Sequence, residues 1–179
     1  MLETQRLLLR PVKTTDLDDL FRIYGDPATN TFNPAGPYPD ISHTRNVLAR
    51  WTQHWVDHGF GNWAITEKES PEHIIGFGGL SIRCFENEAV NNLGYRFETD
   101  VWGKGYATEL ARFSVNFGFR KLDHQEISAT VRANHLASQN VLTKSGLRFV
   151  KEIHDVPNAA PSLFFSLNKR DWFKNISDV

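Results

Sequence analysis

The chain has 179 residues, with 20 Lys and Arg against 21 Asp and Glu, a formal net charge of −1 and 40% hydrophobic residues. That length suits one domain with a real core, expected over 1–179, and the near-neutral balance offers no general attraction to nucleic acid or an anionic membrane. The single cysteine, Cys84, excludes an internal disulfide and argues against a thiolate metal cluster; with no long apolar run before Arg10, a cytoplasmic protein without bound metal is expected.

Arg6 to Val12 reads as a first strand stopped by Pro11. Leu17, Leu20, Phe21 and Tyr24 then recur at helical spacing behind a Thr14 or Thr15 cap, giving a helix that ends near Gly25. Between Asp26 and Asp40 four prolines and two asparagines break the periodicity. A loop of that length is commonly functional. A second helix starts behind Asp40, Ser42 or Thr44 and carries Val47, Leu48, Trp51 and Trp55 on one face. His54 and His58 lie one turn apart on it, but a pair without a third ligand reads as a solvated face.

Gly61 to Glu67 and His73 to Arg83 alternate as two strands of a hairpin, with Cys84 an inert terminus. Asn87 to Asn92 reads as the next turn, and Leu93 to Phe97 as the strand beyond it. Asp100 to Leu110, D-V-W-G-K-G-Y-A-T-E-L, joins that strand to an apolar helix from Ala107 to about Arg120 and sets Gly103 and Gly105 in the turn. Glycine permits positive φ and close backbone approach, and the next helix adds unpaired N–H groups and the positive end of its dipole. This is the grammar of a phosphate site, with Lys104 as a mobile charge at its rim. It is not a P-loop, since no Ser or Thr follows a Gly-Lys pair, and Thr108 stands where a dinucleotide fingerprint needs Gly or Ala.

Glu126 to Val131 is a short strand, Asn134 to Gly146 a helix, and Leu147 to Val156 and Ser162 to Leu167 two closing strands, followed by a short extension after Lys169. The expected order is β-α-α-β-β-β-α-β-α-β-β, a mixed α/β (α+β) domain whose sheet is largely antiparallel.

This order, with V-W-G-K-G-Y-A-T-E at the crossover and N-H-L-A-S-Q-N-V-L-T-K-S-G-L downstream, resembles the GNAT superfamily of acetyl-CoA-dependent N-acetyltransferases. L-E-T-Q-R-L-L-L-R-P and W-G-K-G-Y-A-T-E are most similar to the branch holding the ribosomal-protein N-terminal acetyltransferases. The resemblance implies acetyl-CoA as cosubstrate and a primary amine, on a protein N-terminus or a small molecule, as acceptor. It implies a pyrophosphate cradle of backbone N–H groups across Trp102, Gly103, Lys104, Gly105, Tyr106, Ala107 and Thr108. It further implies main-chain partners for the pantetheine arm at Tyr95, Arg96 and Phe97, a contact from Asn134, and Ser138 near the sulfur. One backbone N–H near Tyr95 would serve the oxyanion, and Ser138 would protonate the thiolate.

Relatives often carry glutamate two positions before the Gly-Tyr of this strand, where this chain has Asn92, and arginine where it has Asn140. A water relay, His154 or Asp155 is then left to take the amine proton. The aromatic residues Phe32, Tyr38, Trp51 and Trp55 are expected to line the acceptor side. The alternative is a module that holds acyl-CoA without transferring it; a monomer and a homodimer are both open.

Overall fold

The computed structural model describes residues 1–177. A two-residue strand, β1 (Leu2–Glu3), which sequence periodicity did not show, pairs antiparallel with β2 (Leu7–Pro11). Helices α1 (Leu17–Tyr24) and α2 (Ile41–His58) follow. Asp40 caps α2 by accepting from the His43 N–H at 2.7 Å, and Gly59 ends it at φ +75°, which glycine adopts without strain. The segment between the helices contains a 3-10 turn, Pro27–Asn30, where sequence reasoning expected only irregular loop.

Strands β3 (Asn62–Glu67), β4 (Ser70–Phe85) and β5 (Glu88–Phe97) form an antiparallel meander. The expected turn over Asn87–Asn92 is corrected: the reversal is confined to Glu86 and Asn87, both at positive φ, and Glu88 to Asn92 belong to the strand. Polar residues there read as loop because they sit on an exposed hairpin arm. Helix α3 (Tyr106–Arg120), β6 (Glu126–Arg132), α4 (Leu136–Lys144), β7 (Arg148–Ile153) and β8 (Ser162–Asn168) complete the order. Helix α4 begins two residues later than expected, which leaves Asn134 in the preceding turn. The supposed extension after Lys169 is a helix, α5 (Lys169–Ser177), tied down by buried Trp172 against Phe119 at 5.2 Å; Asp178 and Val179 lie outside the described residues.

Among the described residues eight strands make one sheet in the order β1-β2-β3-β4-β5-β6-β8-β7, antiparallel except between β5 and β6. Side chains alternate between its faces. Leu80 and its partner Leu93 point to the back, where Ala111, Val115 and Phe119 of α3 cover them together with Ile127 and Ala129. Phe77 points to the front, with Leu20, Ile23 and Leu48 of the two N-terminal helices. Beyond those helices the arm of β4 and β5 curls over the front of the C-terminal strands, packing Phe85 and Val90 on Ile153 and Phe164. The mixed α/β, GNAT-like architecture expected from the sequence is the one observed.

Leu80 is 1% exposed at the meeting of sheet and central helix. Leu80→Ala is expected to lower unfolding free energy by about 3 kcal/mol, the scale of a buried leucine truncation, read as a lower denaturation midpoint with an unchanged slope.

Candidate active site

The site is built on a separation of strands. In an antiparallel ladder alternate residues turn both main-chain groups to the same neighbour. The Glu98 N–H donates to the Ile75 carbonyl at 2.8 Å, so Asn92, Gly94 and Arg96 bond to β4 while Leu93, Tyr95 and Phe97 face away from it. Across the opening, the Lys169 N–H donates to the Gln125 carbonyl at 2.9 Å, which commits Ile127, Ala129 and Val131 to β8 and turns Ser128 and Thr130 toward β5. The parallel strands share one bridge among the described residues, Asn92 to Ser128. Past it they diverge, and the main-chain groups of Tyr95 and Thr130 face a gap.

This corrects the cofactor assignment of Arg96. Its main chain is spent on β4, and its side chain turns to the front, donating to Asn30 Oδ1 at 2.8 Å and lying 4.4 Å over the Tyr24 ring. The Phe97 carbonyl is also occupied, by the Trp102 indole N–H at 2.9 Å. Tyr95 is the residue of the three with both main-chain groups directed into the gap.

The glycine turn lies at the head of the same strand. Gly103 and Gly105 have φ of +79° and +82°, and a Cβ on Gly103 would meet no heavy atom within 4 Å, so the turn is open on that side. Among the described residues no backbone N–H from Gly103 to Thr108 donates to a backbone carbonyl; the first to do so is Glu109, to Gly105 at 3.1 Å. Six successive donors, those of Gly103, Lys104, Gly105, Tyr106, Ala107 and Thr108, are thereby left at the start of α3, where the helix dipole also favours an anion. Trp102 is corrected out of this cradle, since its N–H is used by the Thr99 carbonyl at 3.1 Å. The residues fit a pyrophosphate.

Sequence reasoning missed the brace that holds this turn. Arg6 donates to the Lys104 carbonyl and to Glu109 Oε1, both at 2.7 Å, and lies 4.4 Å over the Tyr106 ring. Glu109 Oε2 accepts from the Arg6 N–H at 2.8 Å and from the Thr4 hydroxyl at 2.5 Å. Burial pushes the Glu109 carboxyl up, but these bonds from Thr4 and Arg6 outweigh it and hold the group below the usual carboxylate range.

On the other wall of the gap, the Tyr95 hydroxyl and Ser138 Oγ are 2.9 Å apart. Burial pushes the Tyr95 phenol up to about 12, with the bond to Ser138 acting the other way, so the phenol keeps its proton at neutral pH. Asn134 is exposed in the turn before α4. Above the pair, the loop between the N-terminal helices straddles the opening: Asn30 holds Arg96 of β5, and Phe32 stacks on His135 at 4.1 Å and 8°. Burial lowers the His135 pKa, which keeps that imidazole neutral.

His154 and Asp155 are not brought to this pair by any hydrogen bond or ion pair among the described residues. They line a cleft of about 210 Å³ with Arg83, Cys84, Phe85 and Glu86 of the hairpin arm, and Asp155 lies 3.8 Å from Arg132. Of the expected acceptor aromatics, Tyr38 packs on Tyr24 at 5.3 Å and Trp51 on Tyr24 at 5.7 Å, both on the front face. Trp55 instead anchors α2, its indole N–H donating to the Asn62 carbonyl at 2.8 Å.

Residues 6–148 match the family of the Acetyltransferase (GNAT) domain, a span containing Arg6 and Glu109, the glycine turn, the gap and Ser138. The chain belongs to the GNAT acetyltransferase family. An uncharacterised N-acetyltransferase, p20, of Bacillus licheniformis is 29% identical over 177 residues, 96% of this chain and 97% of that relative. An acetyltransferase structure from Agrobacterium tumefaciens is 26% identical with a TM-score of 0.77, covering 93% of each chain. The ribosomal-protein-S5-alanine acetyltransferase of Vibrio fischeri shares the fold at a TM-score of 0.74 and 18% identity, over 96% of this chain and 97% of that one. Among the described residues no helix is long and apolar enough to cross a membrane, and no group of three His, Cys, Asp or Glu is gathered that would hold a metal ion.

A carboxyl whose folded pKa is depressed adds stability above its unfolded value, and that stability is lost as pH falls through the folded value. Glu109→Gln is therefore expected to melt below the parent at pH 7, with the two melting temperatures converging as pH falls below about 4.5, the ordinary value for this group.

Proposed function

We propose that this GNAT enzyme transfers the acetyl group of acetyl-CoA directly to a primary amine of a protein N-terminus or a small molecule. The observation that carries the reading is the gap beyond the Asn92 to Ser128 bridge, with the free main-chain groups of Tyr95 on one side and the Tyr95–Ser138 hydroxyl pair beside it. The six N–H groups from Gly103 to Thr108 hold the pyrophosphate, and the Tyr95 carbonyl and the main chain of Thr130 bond the pantetheine arm. Asn134, exposed before α4, reaches the same arm.

Acetyl-CoA supplies a thioester whose carbonyl carbon takes the amine and whose sulfur departs as a thiolate. The Tyr95 N–H donates to the carbonyl oxygen as negative charge gathers there. Ser138 Oγ protonates the sulfur, and the Tyr95 phenol, kept protonated by burial, replenishes Ser138 and regains its own proton from water once the gap opens on product release. Asn92 offers no base, and Asp155 and His154 line the cleft beside the hairpin arm, with Asp155 3.8 Å from Arg132. The amine therefore sheds its proton to water at the mouth, where Phe32 and neutral His135 form the rim. The second reading, an acyl-CoA-holding module, is favoured by Asn92 alone.

The test is calorimetric titration with acetyl-CoA followed by mass spectrometry against an amine panel. Binding with acetylated product is expected, while binding without product across the panel would favour the holding module. Gly103→Asp places a negative charge in the open side of the turn and is expected to weaken acetyl-CoA binding at least tenfold; unchanged affinity would overturn the phosphate assignment. Ser138→Ala is expected to lower kcat by about tenfold to a hundredfold, near the lower range for a lost proton donor, with the acetyl-CoA Kd unchanged.

A further inference from the structure

The front face opposite the proposed cofactor gap carries a charge pattern that the composition does not predict. Residues 77, 79, 81 and 83 of β4 pair with residues 96, 94, 92 and 90 of β5 and share that face. The strip therefore runs from Arg96 over a floor of Gly79 and Gly94 to Ser81, Asn92 and Arg83. Tyr24, Tyr38 and Trp51 stand over one end of it. Arg96 and Arg83 lie on this face by their register, Arg96 4.4 Å over the Tyr24 ring, and Arg50 precedes Trp51 on α2. The two acids that share a cleft with Arg83 are themselves paired, Glu86 with Lys151 at 2.9 Å and Asp155 with Arg132 at 3.8 Å.

Arg96 holds Asn30 and faces Tyr24, but among the described residues it is not neutralised by a carboxylate. Among the described residues Arg96, Arg50 and Arg83 form no ion pair. The nearby acids are committed elsewhere, Glu98 to Arg22 and His73, and Asp40 to the His43 N–H. A second observation points to a ligand at the same place. Asn92 is 6% exposed, its Oδ1 has no hydrogen-bond partner, and its Nδ2 lies 3.4 Å from where a Cβ on Gly94 would stand. A buried acceptor without a donor is costly, and an amine N–H would satisfy it.

We infer that the acceptor is an anionic amine, carrying a carboxylate or phosphate beside its amino group, with Arg96 binding the anion, Arg50 and Arg83 drawing it in, and Asn92 Oδ1 receiving the amine. Guanidinium forks suit carboxylate and phosphate oxygens alike, and the same cations repel a polyamine. The inference rests on the acetyl-transfer reading for its reaction but not for its binding site.

The experiment uses matched pairs of amines: free amino acids against their carboxamides, phosphoethanolamine against ethanolamine, and a tripeptide with Glu or Gln in second place, with spermidine as a polycation. Binding is read by tryptophan fluorescence in the presence of CoA, and transfer by mass spectrometry. At least one anionic member is expected to bind at least tenfold tighter than its neutral partner, and which pair responds separates carboxylate from phosphate. Arg96→Gln is expected to erase that preference and raise KM while leaving the acetyl-CoA Kd unchanged. The double variant Arg50→Gln/Arg83→Gln, at two exposed positions, is expected to reduce the preference in part. Equal or better binding of the neutral members or spermidine, or no binding by any anionic member, overturns the inference. Anion binding without product overturns acetyl transfer and leaves the anion site standing; product from neutral amines alone does the reverse.

Discussion

The structure depends on one interrupted ladder. A sheet that continued from Asn92 and Ser128 into Tyr95 and Thr130 would pair every main-chain group and leave nowhere for a ligand to enter. Ending the pairing after one bridge leaves polar groups that must be satisfied from outside the chain, because an unmade hydrogen bond in a partly buried gap costs more than a made one returns. The flanking ladders hold the opening apart. β5 is bonded along its full length to β4, and β6 along its full length to β8, so neither strand can swing across to close it.

The glycine turn works because two distant parts of the chain hold it. Positive φ at Gly103 and Gly105 turns successive N–H groups one way, but such a turn is locally soft. Arg6 and Glu109, 103 positions apart, tie the turn and the first turn of α3 to the N-terminal strands through four hydrogen bonds that include Thr4 and the Lys104 carbonyl. An anion at this turn would meet donors that are already aligned, at little ordering cost. The brace also sends the Glu109 charge into Arg6 rather than toward the anion.

The two faces of β5 do different work because strand side chains alternate. Leu93, Tyr95 and Phe97 serve the core and the Tyr95–Ser138 pair, while Asn92, Gly94 and Arg96 serve the front cleft. Donor and acceptor chemistry can therefore meet through one strand without sharing side chains. The loop from the first helices closes the arrangement by touching both sides of the opening, through Asn30 to Arg96 and through Phe32 to His135.

Local patterns determined much of this protein. Helical spacing located α1, α2 and α3, and the need for glycine at positive φ marked the turn, because those constraints act within a few residues. The motif around Trp102 to Glu109 with the downstream helix made Ser138 legible and carried the family resemblance. What the sequence alone could not decide concerns direction and distance. A one-residue step reverses the face of a strand, so Arg96 looked like Tyr95 until its pairing with Phe77 was known. The polar run Glu88 to Asn92 looked like a turn until the long hairpin arm gave it a partner. The Arg6–Glu109 brace, the Asn92 to Ser128 bridge between β5 and β6, and the stacking of Arg96 on Tyr24 join residues far apart in the chain. They exist only once the sheet brings those residues together, and no local propensity encodes them.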